Sequence, residues 1–155
     1  MEFNALMKCL ADEVGMSEGF VADEEGVVRI GAGEGGSIAF AEVQELQSML
    51  IWSRVCDLPA QGAERLKDGL LRANFMGQAL SGGAFSVSED NGVYLHRLLP
   101  LPLLDGDGFV KEVTAFMGNL LNWRRMTQDY AAGDFVREDS ADPKDGTDRS
   151  GFVRV

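Results

Sequence analysis

The chain has 155 residues, 25 of them acidic and 14 basic, for a formal net charge of −11 at pH 7. That length is enough for one domain with a real core, and an apolar content of 45% excludes wholesale disorder. The charge argues against nucleic acid as a partner, because binding phosphates needs a basic footprint, and it disfavours adsorption to anionic membranes.

Residues 2–16 read as an amphipathic helix, with Phe3, Leu6, Met7, Leu10 and Val14 spaced on one face. Met1–Leu10 lacks the basic start and unbroken apolar run of a signal peptide. No stretch approaches the ~18 apolar residues of a membrane span. The expectation is a cytoplasmic protein with Cys9 and Cys56 reduced, each a buried small hydrophobe. Two cysteines without clustered histidines do not make a zinc site.

From Val27 the period changes to two. Strands are expected at 27–30, 38–41 and 46–55, joined by short links as an antiparallel meander. The link Gly31-Ala32-Gly33-Glu34-Gly35-Gly36 matches G-x-G-x-x-G, the dinucleotide fingerprint. That chemistry requires a helix next, so that its N-terminus can hold the pyrophosphate. Ser37–Val43 alternates like a strand instead, so the stretch reads as a hairpin loop.

A helix is expected over 62–80, with two opposed apolar stripes. Leu66, Leu70, Ala73, Gly77 and Leu80 make one, and Leu71, Phe75 and Ala79 the other. An ordinary surface helix has one stripe and one solvated face. A second stripe needs a second cover, from within the subunit or from another copy of the chain. Ser81-Gly82-Gly83 ends this helix. Strands at 84–88 and 93–99 flank Glu89-Asp90-Asn91-Gly92, whose Asn-Gly pair is a strong hairpin signal. The last helix is expected over 108–127 with Asp107 as N-cap and Phe109, Val113, Phe116, Leu120 and Trp123 facing the core. After Tyr130 the periodicity ends, and 131–155 reads as an acidic, Gly-rich mobile tail behind a single domain at 1–130. The fold class is α+β, in the order α-βββ-α-ββ-α, with an antiparallel, twisted sheet packed against helices.

No catalytic set emerges. Asp105 and Asp107 suggest a calcium loop, but Phe109 occupies the next ligand position and no Glu closes the loop. His96, the only histidine, sits mid-strand with no nucleophile placed beside it. The acidic pairs 24–25, 89–90 and 138–139 fall in turns or the tail, as solvated charges do. No cofactor and no metal site are expected.

The order of residues from Leu70 to Arg125 carries a resemblance. Leu70-Leu71-x-Ala73-Asn74 opens it, and Gly82-Gly83-Ala84-Phe85 enters the fourth strand. Tyr94-Leu95, Leu98 and Pro100 follow, then Leu104-Asp105, Phe109 and finally Trp123-Arg124, with Trp52–Pro59 upstream. Together they resemble the class I type III secretion chaperones, the Tir chaperone family, over about residues 2–127. The Gly-rich 31–36 link and the long tail depart from that pattern. The resemblance implies a homodimer in the bacterial cytoplasm. It would hold the N-terminal segment of a secreted virulence effector, keep it secretion-competent and present it to the secretion apparatus, hydrolysing nothing. It implies a dimer interface on the second helix and neighbouring strands, at Leu71, Phe75, Ala79, Phe85 and Val87. Which stripe meets the partner stays open.

An effector held extended needs shallow apolar grooves or an edge strand. Candidates are Leu6, Leu10, Val28, Ile30, Ile38, Phe40, Leu50 and Trp52, with core packing as the competing reading for each. The alternatives in function are a regulatory adaptor of the same fold and a small α+β enzyme, which would need a deep pocket with converging polar groups.

Overall fold

A computed structural model describes residues 1–31 and 36–131, without the side chains of residues 78, 79, 130 and 131. The element order is α1 (Phe3–Glu13), β1 (Val28–Gly31), β2 (Ser37–Val43), β3 (Ser48–Asp57), α2 (Ala63–Ala73), β4 (Ala84–Val87), β5 (Gly92–Pro100) and α3 (Gly106–Ala131). This is the expected α-βββ-α-ββ-α order. The five strands form one antiparallel sheet in the order β1-β2-β3-β5-β4. The meander β1-β2-β3 is as expected, and the hairpin β4-β5 returns so that β5 lies beside β3.

The boundaries moved where local chemistry outweighed periodicity. α1 stops at Glu13, short of 16, because Gly15 takes a positive φ of 74°. β3 begins at Ser48 rather than Leu46, since Gln44–Leu46 make a 3₁₀ turn closed by Gln47 at φ 45°. The cap of α3 is Asp105, not Asp107: its Oδ1 accepts from the Gly108 N–H at 2.7 Å. That helix reaches Ala131, one residue into the expected tail; the rest of 131–155 lies outside the described residues, as do 32–35 of the glycine-rich link. The helix expected over 62–80 ends at Ala73. Residues 75–80 are irregular, with Met76 and Gly77 at φ 58° and 65°. The physical reason is Asn74. Its side chain accepts from the Phe85 N–H at 2.7 Å and donates to the Phe85 carbonyl at 3.1 Å. It thus pairs with edge strand β4 as another strand would, and the helix gives way there.

Strand register divides the sheet into two faces. Val28, Ile38, Phe40, Met49, Ile51, Leu95, Leu99 and Phe85 point one way. They form one core with Phe3, Leu6, Met7 and Leu10 of α1 and Phe109, Val113, Phe116 and Leu120 of α3. Phe40 meets Phe109 edge-on at 6.2 Å, and Phe85 meets Trp123 at 4.9 Å. Arg97 also points to this side, where it pairs with Glu112 of α3 at 2.6 Å. The opposite face carries Arg29, Ala39, Leu50, Trp52, Arg54, Tyr94, His96 and Leu98. Of these, Leu50, Trp52 and Tyr94 are half-buried and Leu98 is exposed, and none of them packs into the core.

Candidate functional site

Among the described residues, two apolar surfaces and an arginine-lined cleft stand out. The first surface is the uncovered sheet face. Cross-strand pairing fixes its rows: Ala39, Trp52, His96 and Ala84 lie side by side, as do Ala41, Leu50 and Leu98. The row through Trp52 and His96 is apolar except for the imidazole, whose burial pushes its pKa below the usual histidine value. Ser86 Oγ lies 3.4 Å from His96 Nδ1, with no acid or nucleophile completing a catalytic set there among the described residues.

The second surface lies where α2 gives way. Leu71, Phe75 and Met76 are 70%, 77% and 74% exposed. Asn74, between them, is bonded to Phe85, which holds this cluster against the β4 edge. Val87, at the end of that strand, is exposed too. Four large apolar side chains so placed are unusual for a strongly acidic monomer surface.

The cleft, of about 770 Å³, curves from the open sheet face around the β3 end to the last turns of α3. Trp52, Ala39 and Tyr94 line its apolar part, and Arg29, Arg54, Arg124 and Arg125 its polar part. Arg54 pairs with Asp57 and, at 3.0 Å, with Asp90, and lies 5.6 Å from the Tyr94 ring centre. The hydrogen bonds it donates to Asp57 and Asp90 push its pKa up. In turn the Ser88 hydroxyl, Arg54 and the Gly92 N–H hold Asp90 down at about 2. Arg29 pairs with Asp23. Arg124 differs: it donates to the Arg54 carbonyl from Nη2 at 2.7 Å and from Nε at 3.2 Å, and to Ser53 Oγ at 3.2 Å.

The residues expected from sequence divide accordingly. Leu6, Leu10, Val28, Ile38 and Phe40 are buried in the core, and Ile30 packs against it. The first five hold sheet to helices and are closed to a partner in this fold, whereas Ile30 stays half-buried at the margin. Leu50 and Trp52 lie together on the open face. Of the residues expected at a subunit interface, Leu71, Phe75 and Val87 are exposed. Phe85 is core, edge-on to Trp123, and the side chain of Ala79 lies outside the description. Cys9 and Cys56 are half-buried rather than fully buried, and desolvation raises the Cys56 thiol pKa. Sequence reasoning missed the cleft, whose arginines come from three elements far apart in the chain. Among the described residues there is no group of three or more His, Cys, Asp or Glu that could hold a metal, and no helix long and apolar enough to cross a membrane.

The family model of the Tir chaperone protein (CesT) family matches residues 5–124. No curated protein matches the sequence. Among solved structures, a chain of the ExsC–ExsE complex is 17% identical with a TM-score of 0.68, the match covering 81% of this chain and 96% of that one. The Yersinia pestis type III secretion chaperone SycH, solved with a stable fragment of YscM2, is also similar. There the identity is 17% and the TM-score 0.62, over 79% of this chain and 99% of that one. A chain of the Pseudomonas aeruginosa ExoU–SpcU type III secretion complex is 13% identical with a TM-score of 0.55, covering 82% and 94%. At these identities the likeness is one of fold.

Proposed function

The chain belongs to the Tir chaperone protein (CesT) family, and from that premise we propose that it acts as a homodimer in the bacterial cytoplasm. There it binds the N-terminal chaperone-binding segment of a type III secreted effector, keeps it soluble and unfolded enough for export, and hands it to the secretion apparatus. It does so by passive binding, without ATP hydrolysis. The observation that carries this reading is the pair of apolar surfaces left uncovered among the described residues of a strongly acidic chain.

Each surface suits a different partner. The exposed Leu71, Phe75, Met76 and Val87 offer apolar side chains that a second copy of the chain, related by a two-fold axis, would cover. The open sheet face carries Leu50, Trp52 and Leu98 on neighbouring strands, half-buried or exposed. An extended segment can lay alternate side chains on such a face without forming a core of its own. The −11 charge keeps the unloaded protein soluble while these patches are free.

The test is capture of the partner. The tagged full-length chain, recovered from its native cell, should retain a larger secreted protein through that protein's N-terminal region. Recovery of a folded chain that retains no such protein contradicts the proposal. A retained transcriptional regulator in place of a secreted protein would instead identify a regulatory adaptor of the same fold.

A further inference from the structure

We propose that the arginine-lined cleft is an acid-selective subsite, where a carboxylate flanked by apolar residues of the bound segment docks on Arg124 and Arg125. This rests on the reading of the open sheet face as the segment's binding surface, and it adds a chemical preference to it.

Three observations lead to it. First, Arg124 is held in place before any ligand arrives. Its guanidinium is fixed by two hydrogen bonds to the Arg54 carbonyl and one to Ser53 Oγ. Ser53 is itself buried and donates to the Ser37 carbonyl at 2.6 Å. Gly36 makes room for the arginine: a Cβ there would overlap the guanidinium, falling 2.7 Å from Cζ. A guanidinium anchored this way loses little freedom on binding a carboxylate.

Second, Arg124 and Arg125 pair with no carboxylate among the described residues. Every acceptor on Arg124 is neutral, and Arg125 donates to Asn122 Oδ1 at 3.2 Å. The two other arginines of the cleft are paired with Asp23, Asp57 and Asp90. Thus the paired arginines stiffen the wall, and Arg124 and Arg125, with no carboxylate on them among the described residues, leave positive charge at the opening. A half-buried cation with only neutral partners is poorly compensated, and an incoming anion gains from that.

Third, the cleft is continuous with the apolar surface. Trp52 belongs both to the row on the open face and to the cleft wall, beside Ala39. A segment that leaves that row and follows the cleft around the end of β3 towards α3 meets aromatic surface first and guanidinium next, so the favoured side-chain sequence is apolar then acidic. In a chain of net charge −11, such a local positive site also sets register, because an acidic residue is repelled over most of the remaining surface.

The experiment uses the full chain and two fluorescein-labelled twelve-residue peptides, one alternating leucine and glutamate, the other leucine and glutamine, followed by fluorescence anisotropy. The acidic peptide should bind about tenfold tighter. Arg124→Gln and Arg125→Gln should each remove most of that preference and leave the neutral peptide's affinity within twofold. Arg125 is exposed, so its variant keeps the fold even where the Arg124 variant is destabilised. Equal binding of the two peptides, binding of neither, or a preference that survives both substitutions overturns the proposal. A full-length variant with Asp134→Asn, Glu138→Gln and Asp139→Asn should bind the acidic peptide unchanged. A tenfold gain would make the chain's own C-terminal segment the resident of the cleft and overturn the assignment to a partner. The two readings fail separately. A captured secreted protein held equally well by the arginine variants defeats the subsite alone, whereas acid preference with no captured protein defeats the chaperone reading.

Discussion

Phe75→Asp separates a dimer interface from a merely exposed patch. Phe75 is 77% exposed, so in a lone subunit the substitution removes almost no intramolecular contact. The cost to the fold should stay within about 0.5 kcal/mol, as for surface changes generally. Across a two-fold axis the same residue counts twice. Burying a phenylalanine is worth about 1.5–3 kcal/mol, so the pair contributes about 3–6 kcal/mol to association. Each carboxylate left unpaired in the interface adds several kcal/mol of desolvation. At 1.4 kcal/mol per decade, the dimer should weaken by at least about a hundredfold. Sedimentation velocity at micromolar concentration should show a dimer for the unaltered chain and a folded monomer for the variant, with circular dichroism and the urea midpoint unchanged. A dimer of unchanged affinity refutes the role of this patch.

Three further outcomes follow from the local chemistry. Asn74→Ala removes both bonds to the Phe85 backbone and leaves that amide and carbonyl unpaired at the β4 edge; urea unfolding should show a loss of about 2–3 kcal/mol, and a loss below 0.5 kcal/mol would count against the strand-like role of that side chain. Asp105→Ala removes the cap of α3 and should cost about 1 kcal/mol, read as a lower thermal midpoint. Asp90 has a carboxyl lowered from 3.8 to about 2, so its contribution to stability is full above about pH 4 and fades as the pH falls towards 2. Asp90→Asn should therefore lower the urea midpoint at pH 6 and lower it much less at pH 2; equal midpoints at pH 6 would show that its contacts do not stabilise the hairpin.

The elements with self-contained signals were legible. Asn91, at φ 62°, turns the β4–β5 hairpin where Asn-Gly predicted it. The stripe Phe109, Val113, Phe116 and Leu120 lies in the core as its spacing required. The end of α2 was not legible, because what stops it is a side chain bonded to a strand eleven residues away. A helical wheel carries the pattern through Asn74 regardless, so Leu80 reaches the core by a bent path rather than along a stripe.

The candidate site shows the same division. Alternation separates Ile38 and Phe40 from Ala39 and Ala41, but not which side the helices will cover. Phe40 consequently became core, whereas Leu50 and Trp52 stayed at the surface. The exposed Leu71 and Phe75 were visible as a stripe wanting cover. The cleft was invisible, since Arg29, Arg54 and Arg124 meet only through sheet register and the approach of α3.

The central claim is that this chain, as a dimer, holds an unfolded segment of a secreted partner. Its most direct test is co-expression with the secreted protein that it captures from its native cell, followed by sedimentation equilibrium and hydrogen exchange on the purified complex. The account predicts one stable species containing two copies of the chain and one partner, with the partner's N-terminal segment protected only while bound. A folded chain that sediments alone, with that segment exchanging as freely as in its absence, would contradict it.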